Sequence, residues 1–233
     1  MKLTPETFTI GGKPASLYPA DGPGRPLIVL HHGSAAADAV LEKLRLLGCP
    51  DCSLLCVGGL DWSNELSPWP CPPLSPQEPP FTGGADNYLA LLTTQLLPQA
   101  IERLGSTPAY IGIAGYSLAG LFAVYALYRC GVFDRAASMS GSFWYPDFTA
   151  YCTQHTMQRI PDRIYLSLGD REDRTGHTLL RTVRTETDAL ARHFERCGIR
   201  VITELNPGNH FKNPALRCAK GIAALLGEPK QKG

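Results

Sequence analysis

"AYIGIAGYSLAGLFAVYALYRC", Ala109–Cys130, is the stretch on which the fold turns. Small and apolar residues run from Ile111 to Tyr116, a Ser follows, and a second apolar run with small residues on one face begins at Leu118. The first run reads as a buried strand and the second as a helix. Ser117 stands at the junction, where a hydroxyl either caps the helix or is held out as a reactive group. Gly115, Ser117 and Ala119 spell G-x-S-x-A, with Gly120 one position later. A turn this tight has no room for a large side chain two residues before or after the Ser. The helix start behind it stabilises negative charge.

Outward from this junction the chain alternates. "RPLIVLHHG" (Arg25–Gly33) reads as a buried strand, and Val40, Leu41, Leu44 and Leu47 recur at helical spacing before Gly48 and Pro50. "CSLLCV" (Cys52–Val57) is the next strand. Leu89, Leu92, Leu96, Leu97, Ala100, Ile101 and Leu104 predict a helix closed by Gly105, with a kink expected at Pro98. Further strands are expected in "FDRAASMSG", in "DRIYLSLGD" (Asp162–Asp170) and from Ile199 to the loop ending at His210. Leu180, Val183, Thr187, Leu190 and Phe194 space a helix between the last two, and Asn213 and Pro214 cap and open a final one through Leu226. "ETFTIGG" and "KPASLYP" suit an edge hairpin around Gly11-Gly12. The pattern predicts the α/β class: one domain over residues 1–233, a mostly parallel central sheet with helices on both faces, and minimal N-terminal edge strands.

Residues 58–84 break the alternation. "GGLDWSNELSPWPCPPLSPQEPPFTGG" is Pro-rich, carries Trp62 and Trp69, and has no periodicity. Connections of this length are usually functional or disordered, and the aromatic residues argue against disorder. Two readings stay open, a strap packed on the surface or a wall over a binding site.

Of the 233 residues 44% are hydrophobic, enough for a full core, and the formal net charge of +1 argues against DNA or an anionic membrane as a bulk partner. No apolar run is long enough to span a bilayer, and the N-terminal stretch lacks a charged segment followed by an apolar one. A cytoplasmic location with free thiols is therefore expected for the eight Cys. Cys49 and Cys52 have C-x-x-C spacing but follow a helix and precede a strand, whereas a redox pair needs its first thiol at a helix N-terminus. Cys56 and Cys71 are only loose additional zinc ligands.

In open α/β sheets ligands bind beyond the carboxyl ends of the strands. Three polar clusters fall there: Ser117, the acids Asp170, Glu172 and Asp173 in "SLGDRED", and His210 in "NPGNHF". Ser, acid, His is the chain order of the α/β-hydrolases. His210 is the base that a Ser hydroxyl needs, and an acid fixes its tautomer. Glu172, three residues past Gly169, has room to turn toward the His. Asp170 follows the strand at once and suits a turn cap, and Asp173 ranks third. The oxyanion is expected to meet the backbone N–H groups of Leu118 and Ser34. His31 reads as partly buried support and His32 as a wall of the site. Neither has a metal-ligand pattern, and no metal or organic cofactor is called for.

Taken together, "GYSLAGLFAVYA", "SMSGSFWYPDF", "YLSLGDRED" and "NPGNHF", with "LSPWP" and "GGADNYL", resemble the esterase family of the α/β-hydrolase superfamily that holds esterase D-like and siderophore (enterobactin-type) esterases. The resemblance runs from about Pro26 to the C-terminus. It implies a nucleophile at Ser117, a base at His210, an acid at Glu172, and a site bordered by "DWSNELSPWP" with Trp62 and Trp69 as walls. Arg171 and Arg174, beside the acid turn, are residues that an anionic substrate would meet, or plain surface charges.

The expectation is a serine hydrolase that cleaves small to medium carboxylic esters through an acyl-enzyme. The partner is a small-molecule ester, with no nucleic acid or membrane, and a homo-oligomer is compatible. An acyltransferase or thioesterase on the same triad, or a binding module that keeps the fold, are the competing readings.

Overall fold

Every residue of β3 (Leu27–His31) and β4 (Ser53–Val57) is buried, and strands of that kind need cover on both faces. The computed structural model, which describes residues 4–31 and 37–227, supplies that cover. The chain starts with β1 (Glu6–Ile10) and β2 (Lys13–Tyr18), then β3 and β4, followed by β5 (Pro70–Cys71) and β6 (Phe81–Thr82), a separate two-residue ladder. β7 (Ile111–Tyr116), β8 (Arg135–Met139), β9 (Arg163–Gly169) and β10 (Arg200–Asn206) complete the set. The main sheet has eight strands in the order β1-β2-β4-β3-β7-β8-β9-β10. The β1/β2 and β2/β4 pairs are antiparallel and the rest are parallel. The N-terminal hairpin therefore supplies the two outermost strands on one side of the sheet, with β1 at the edge. Its two-residue turn has Gly11 and Gly12 at φ of 57° and 75°, the left-handed pair that such a turn requires.

Neighbouring residues of β3 face opposite ways. Ile28 and Leu30 pack with Val40, Leu41 and Leu44 of α1 (Ala37–Leu46) and with Ile222 and Leu225 of α8 (Pro214–Leu226). Leu27 and Val29 belong to the larger cluster on the other face. That cluster holds α3 (Ala85–Leu91), α4 (Leu97–Leu104), α5 (Leu118–Arg129) and α7 (Val183–Arg196), with the short α2 (Trp62–Glu65) and α6 (Phe148–Gln154) at its margin. α5 is buried from Leu118 to Tyr128, as a helix apolar all round must be. Among the described residues no helix is long and apolar enough to cross a membrane.

Three local expectations are revised. The Leu89–Leu104 helix is interrupted just before Pro98: a wide π-turn over Leu92–Leu96 joins α3 to α4, where the missing Pro N–H leaves a carbonyl without its usual donor. Residues 58–84 are not devoid of regular structure. Asp61 caps α2 by accepting from the Asn64 N–H at 3.2 Å, and the β5/β6 ladder closes the strap. Asn213 precedes α8 but caps nothing with its side chain, because its backbone is left-handed (φ 51°).

Candidate active site

β7 ends at Tyr116 and α5 begins at Leu118, so Ser117 alone turns the chain. It does so at φ 59°, ψ −123°, a conformation that costs a non-glycine residue about 1–3 kcal/mol. The surroundings hold it there. Ser117 N–H donates to Met139 O (3.0 Å), and Ser117 O accepts from the N–H groups of Gly120 (2.9 Å) and Ser142 (3.1 Å). A Cβ on Gly115 would stand 2.1 Å from Ala119 O, and one on Gly120 would stand 2.7 Å from Ser138 Oγ. The small residues around the Ser are thus a packing requirement. The Ser117 hydroxyl caps no helix amide. It lies 3.0 Å from His210 Nε2 and 3.4 Å from Ser142 Oγ.

His210 sits between β10 and α8, its Nδ1 2.8 Å from Glu172 Oε2. With Glu172 ionised, Nδ1 carries the proton and Nε2 accepts from the Ser117 hydroxyl. The His loop is tied at several points. Asp170 Oδ1 accepts from Gly208 N–H (2.8 Å), Arg171 N–H donates to Gly208 O (3.2 Å), and Tyr116 OH donates to His210 O.

Glu172 is buried, its side chain 3% exposed. Its Oε1 accepts from Gly169 N–H (2.5 Å), Ser140 Oγ (2.8 Å) and Arg217 Nη1 (2.7 Å). Burial alone would raise its pKa. The hydrogen bonds from His210, Gly169 and Ser140 outweigh that and hold the carboxyl below its usual range. Of the three acids in the turn, Glu172 is the one bonded to His210. Asp170 is engaged with the Gly208 amide, in keeping with a turn cap. Arg171 makes only a loose, exposed contact with Asp170 at 3.7 Å.

Leu118 is the first residue of α5, so its N–H has no acceptor within the helix and sits at the positive end of the dipole. Ser34 and His32 lie outside the described residues. His31 is fully buried rather than partly: its Nε2 is 2.7 Å from Tyr88 OH and its ring packs edge-on to Tyr88 and Phe122. Desolvation drives its pKa down to about 3, so it is neutral.

A cavity of about 470 Å³ opens over Ser117 and His210. Its walls are mostly apolar: Leu74, Trp144, Leu180, Val183 and Phe211. Trp62 and Trp69 do not line it, which corrects the expectation for both. Trp69 packs with Tyr145, Phe148 and Tyr151 and donates its indole N–H to Pro146 O at 3.2 Å, so its ring serves as the anchor of the strap. Trp62 is half-buried against the core. The middle of the strap is what reaches the cavity, through Leu74, Ser75 and Glu78. His177 Nε2, 3.1 Å from Leu74 O, pins it there.

Sequence reasoning missed Ser140, Ser142, Trp144 and Arg217. The first three lie in the "SMSGSFWYPDF" stretch, whose side chains carried no assigned role. Arg217 had a signal: it shares the buried stripe of α8 with Gly221 and Leu225, where a charge is out of place. At the Cys49/Cys52 pair burial raises the Cys49 thiol and pushes Cys52 up to about 12, which disfavours the thiolate form. Among the described residues no group of three or more His, Cys, Asp or Glu is arranged to hold a metal.

The family model described as "Putative esterase" matches residues 58–204. The uncharacterized protein YbbA of Bacillus subtilis (strain 168) is 26% identical over 188 residues, 78% of this chain and 75% of its own. The siderophore hydrolase EstA from Aspergillus nidulans superposes with a TM-score of 0.71 at 20% identity, over 92% of this chain and 89% of that one. The BES protein from Bacillus cereus gives 0.70 at 17% identity, over 98% of each. The enterobactin esterase FES from Shigella flexneri gives 0.68 at 18% identity, over 91% of this chain and 55% of that one. These structures share the α/β-hydrolase fold with this chain.

Proposed function

The chain belongs to the "Putative esterase" family, and on that premise we propose that it hydrolyses carboxylic esters through an acyl-enzyme on Ser117. The observation that carries the reading is the line Ser117 Oγ–His210 Nε2 (3.0 Å) and His210 Nδ1–Glu172 Oε2 (2.8 Å), with the Ser hydroxyl engaged in no helix cap.

His210 Nε2 takes the hydroxyl proton as Ser117 Oγ bonds to the ester carbonyl carbon. The carbonyl oxygen becomes an oxyanion, for which the Leu118 N–H at the start of α5 is one donor and Ser34 is the proposed second. The intermediate collapses, the C–O bond to the alcohol breaks, and His210 hands its proton to the leaving oxygen. A water then gives a proton to His210, attacks the acyl carbon and releases the acid, restoring the Ser117 hydroxyl. Glu172 holds the imidazole in one tautomer and offsets its charge in both halves.

The cavity favours neutral esters with an apolar or aromatic group. Its walls carry Glu78 and Glu172 and, among the described residues, no Lys or Arg. Siderophore-type esters, which the names of the structural neighbours suggest, would on this reading enter best in uncharged form. A fluorophosphonate probe tests the proposal. Labelling of wild type and not of Ser117→Ala is the expected result, and a folded wild type that takes no label overturns it. Turnover with an added alcohol then separates hydrolysis, which yields free acid, from transfer, which yields a new ester.

A further inference from the structure

Arg217 is the member of the site that Ser, His and acid do not by themselves require. Its side chain is 1% exposed, on the first turns of α8. Nη1 donates to Glu172 Oε1 at 2.7 Å and to Ser140 Oγ at 2.8 Å. Nη2 donates to Asn209 O at 2.9 Å, the carbonyl just before His210, and lies 3.4 Å from Pro207 O. One guanidinium therefore spans the acid, from the turn after β9, and the loop carrying the base, from the end of β10. Lys, with a single ammonium, does not reproduce this fork.

The charge matters as much as the reach. A carboxylate on Nδ1 raises the proton affinity of an imidazole. Here the second oxygen of that carboxylate faces a full positive charge at hydrogen-bond distance, which cancels part of the effect. We propose that Arg217 is a positioning residue acting through Glu172: it locks the carboxylate and the His210 main chain in one frame, and it extends to lower pH the range in which His210 is an unprotonated base. The proposal rests on the hydrolase reading of Ser117, His210 and Glu172.

Other titratable neighbours do not replace this charge. Tyr116 of β7 puts its hydroxyl 3.4 Å from Nη1, and burial raises its pKa, so it is neutral. Cys218, beside Arg217 on α8, is a buried thiol whose pKa is raised by desolvation. Lys220, one turn on, is paired with Glu204 of β10. Asp170 is occupied by the Gly208 amide and faces Arg171, while His177 and Glu78 stand on the cavity wall and Lys212 follows on the His loop. All of these stay in place in the variants below.

The test is kcat and kcat/KM for p-nitrophenyl butyrate across about pH 5 to 9, with melting curves, for wild type, Arg217→Met and Arg217→Lys. In Arg217→Met the acid-limb midpoint of kcat/KM is expected to rise by about one pH unit, the scale of one charge removed at this range. Its kcat is expected to fall about ten- to a hundredfold with KM changed little, as misplacement of a catalytic group does. Arg217→Lys keeps the charge and is expected to hold the midpoint while losing several-fold in kcat. A folded Arg217→Met enzyme with the wild-type midpoint overturns the proposal, because a purely structural role lowers activity without moving it. If the Met variant does not fold, Arg217→Gln, a neutral polar replacement, is read by the same midpoint: a rise supports the proposal and the wild-type midpoint overturns it. Fluorophosphonate labelling of wild type separates the two levels. No label and no turnover sinks the hydrolase reading and this one together, whereas labelling with an unmoved midpoint sinks only this one.

Discussion

Tyr116, the residue before the proposed nucleophile, donates its hydroxyl to the main-chain carbonyl of His210, 94 residues away in the chain. The end of β7 thus positions the base directly, and the two rings lie 5.4 Å apart. Tyr116→Phe keeps the ring and removes that bond. The hydroxyl also accepts from Ser140 Oγ (3.2 Å) and lies 3.4 Å from Arg217 Nη1, so the expected outcome is a melting temperature lowered by the loss of two to three hydrogen bonds, about 1–3 kcal/mol. Steady-state kinetics on a neutral ester should show a several-fold drop in kcat with KM unchanged. An unchanged kcat would mean that the loop holds its position without Tyr116.

The choice among the three acids of the turn is testable by isosteric change. Glu172→Gln keeps the shape and removes the charge, and kcat/KM is expected to fall by about two to four orders of magnitude, as when the acid of such a triad is neutralised. Asp170→Asn should cost less than about tenfold, through slackening of the Gly208 contact alone. Glu172→Ala is a poorer probe, because it strands the buried Arg217 charge and is expected to destabilise by about 3–5 kcal/mol. Equal losses in the Gln and Asn variants would remove the distinction between the two acids.

Two groups of the core and the site contribute to the loss of stability on the acid side. His31 is neutral in the fold with its pKa near 3, against an ordinary value of 6.5. The unfolded chain therefore binds a proton that the folded chain refuses, and stability falls as pH drops below 6.5, by about 1.4 kcal/mol per pH unit for one group. Glu172 is depressed from its ordinary value of 4.5. Its contribution is present above that value and is lost as pH falls through the lower folded one, so it steepens the same decline further down. Denaturant melts of wild type and His31→Gln at pH 7, 6 and 5 read the first effect. The variant is expected to lose about one proton's worth of slope. Parallel slopes would show that His31 does not carry it.

Trp69 and Trp144 are expected to separate stability from specificity. Trp69→Ala removes the anchor of an aromatic cluster and should lower stability by about 2–4 kcal/mol, with kcat/KM on small esters little changed. Trp144→Ala opens the cavity wall. It should reduce kcat/KM on aryl-acyl esters more than on acetyl esters, by about tenfold in the ratio. A ratio that moves with Trp69 and not with Trp144 would reverse the assignment.

What was legible in the sequence was local. Gly115, Ser117 and Ala119 announce the turn because the steric contacts that demand small residues lie within a few positions of the Ser. The apolar runs at Leu27 and Ile113 announce a doubly covered sheet because burial on both faces leaves no polar alternation. The order of Ser117, acid and His210 followed from where those strands end. Spacing from Gly169 ranked Glu172 above Asp170 and Asp173, but the three share one turn, and the turn alone does not show which partners each carboxylate meets.

Tertiary packing decided that point. Glu172 turns inward because Ser140, the Gly169 amide and Arg217 converge on one of its oxygens and leave the other for His210, and those partners come from β8, β9 and α8. Trp69 went to the aromatic cluster and Trp144 to the cavity for a similar reason, as ring packing across the strap depends on contacts some seventy residues apart in the chain. Short-range sterics are written in neighbouring letters. The pairing of a buried charge is settled only when distant segments enclose it, because the desolvation that makes the partner obligatory does not exist in the unfolded chain.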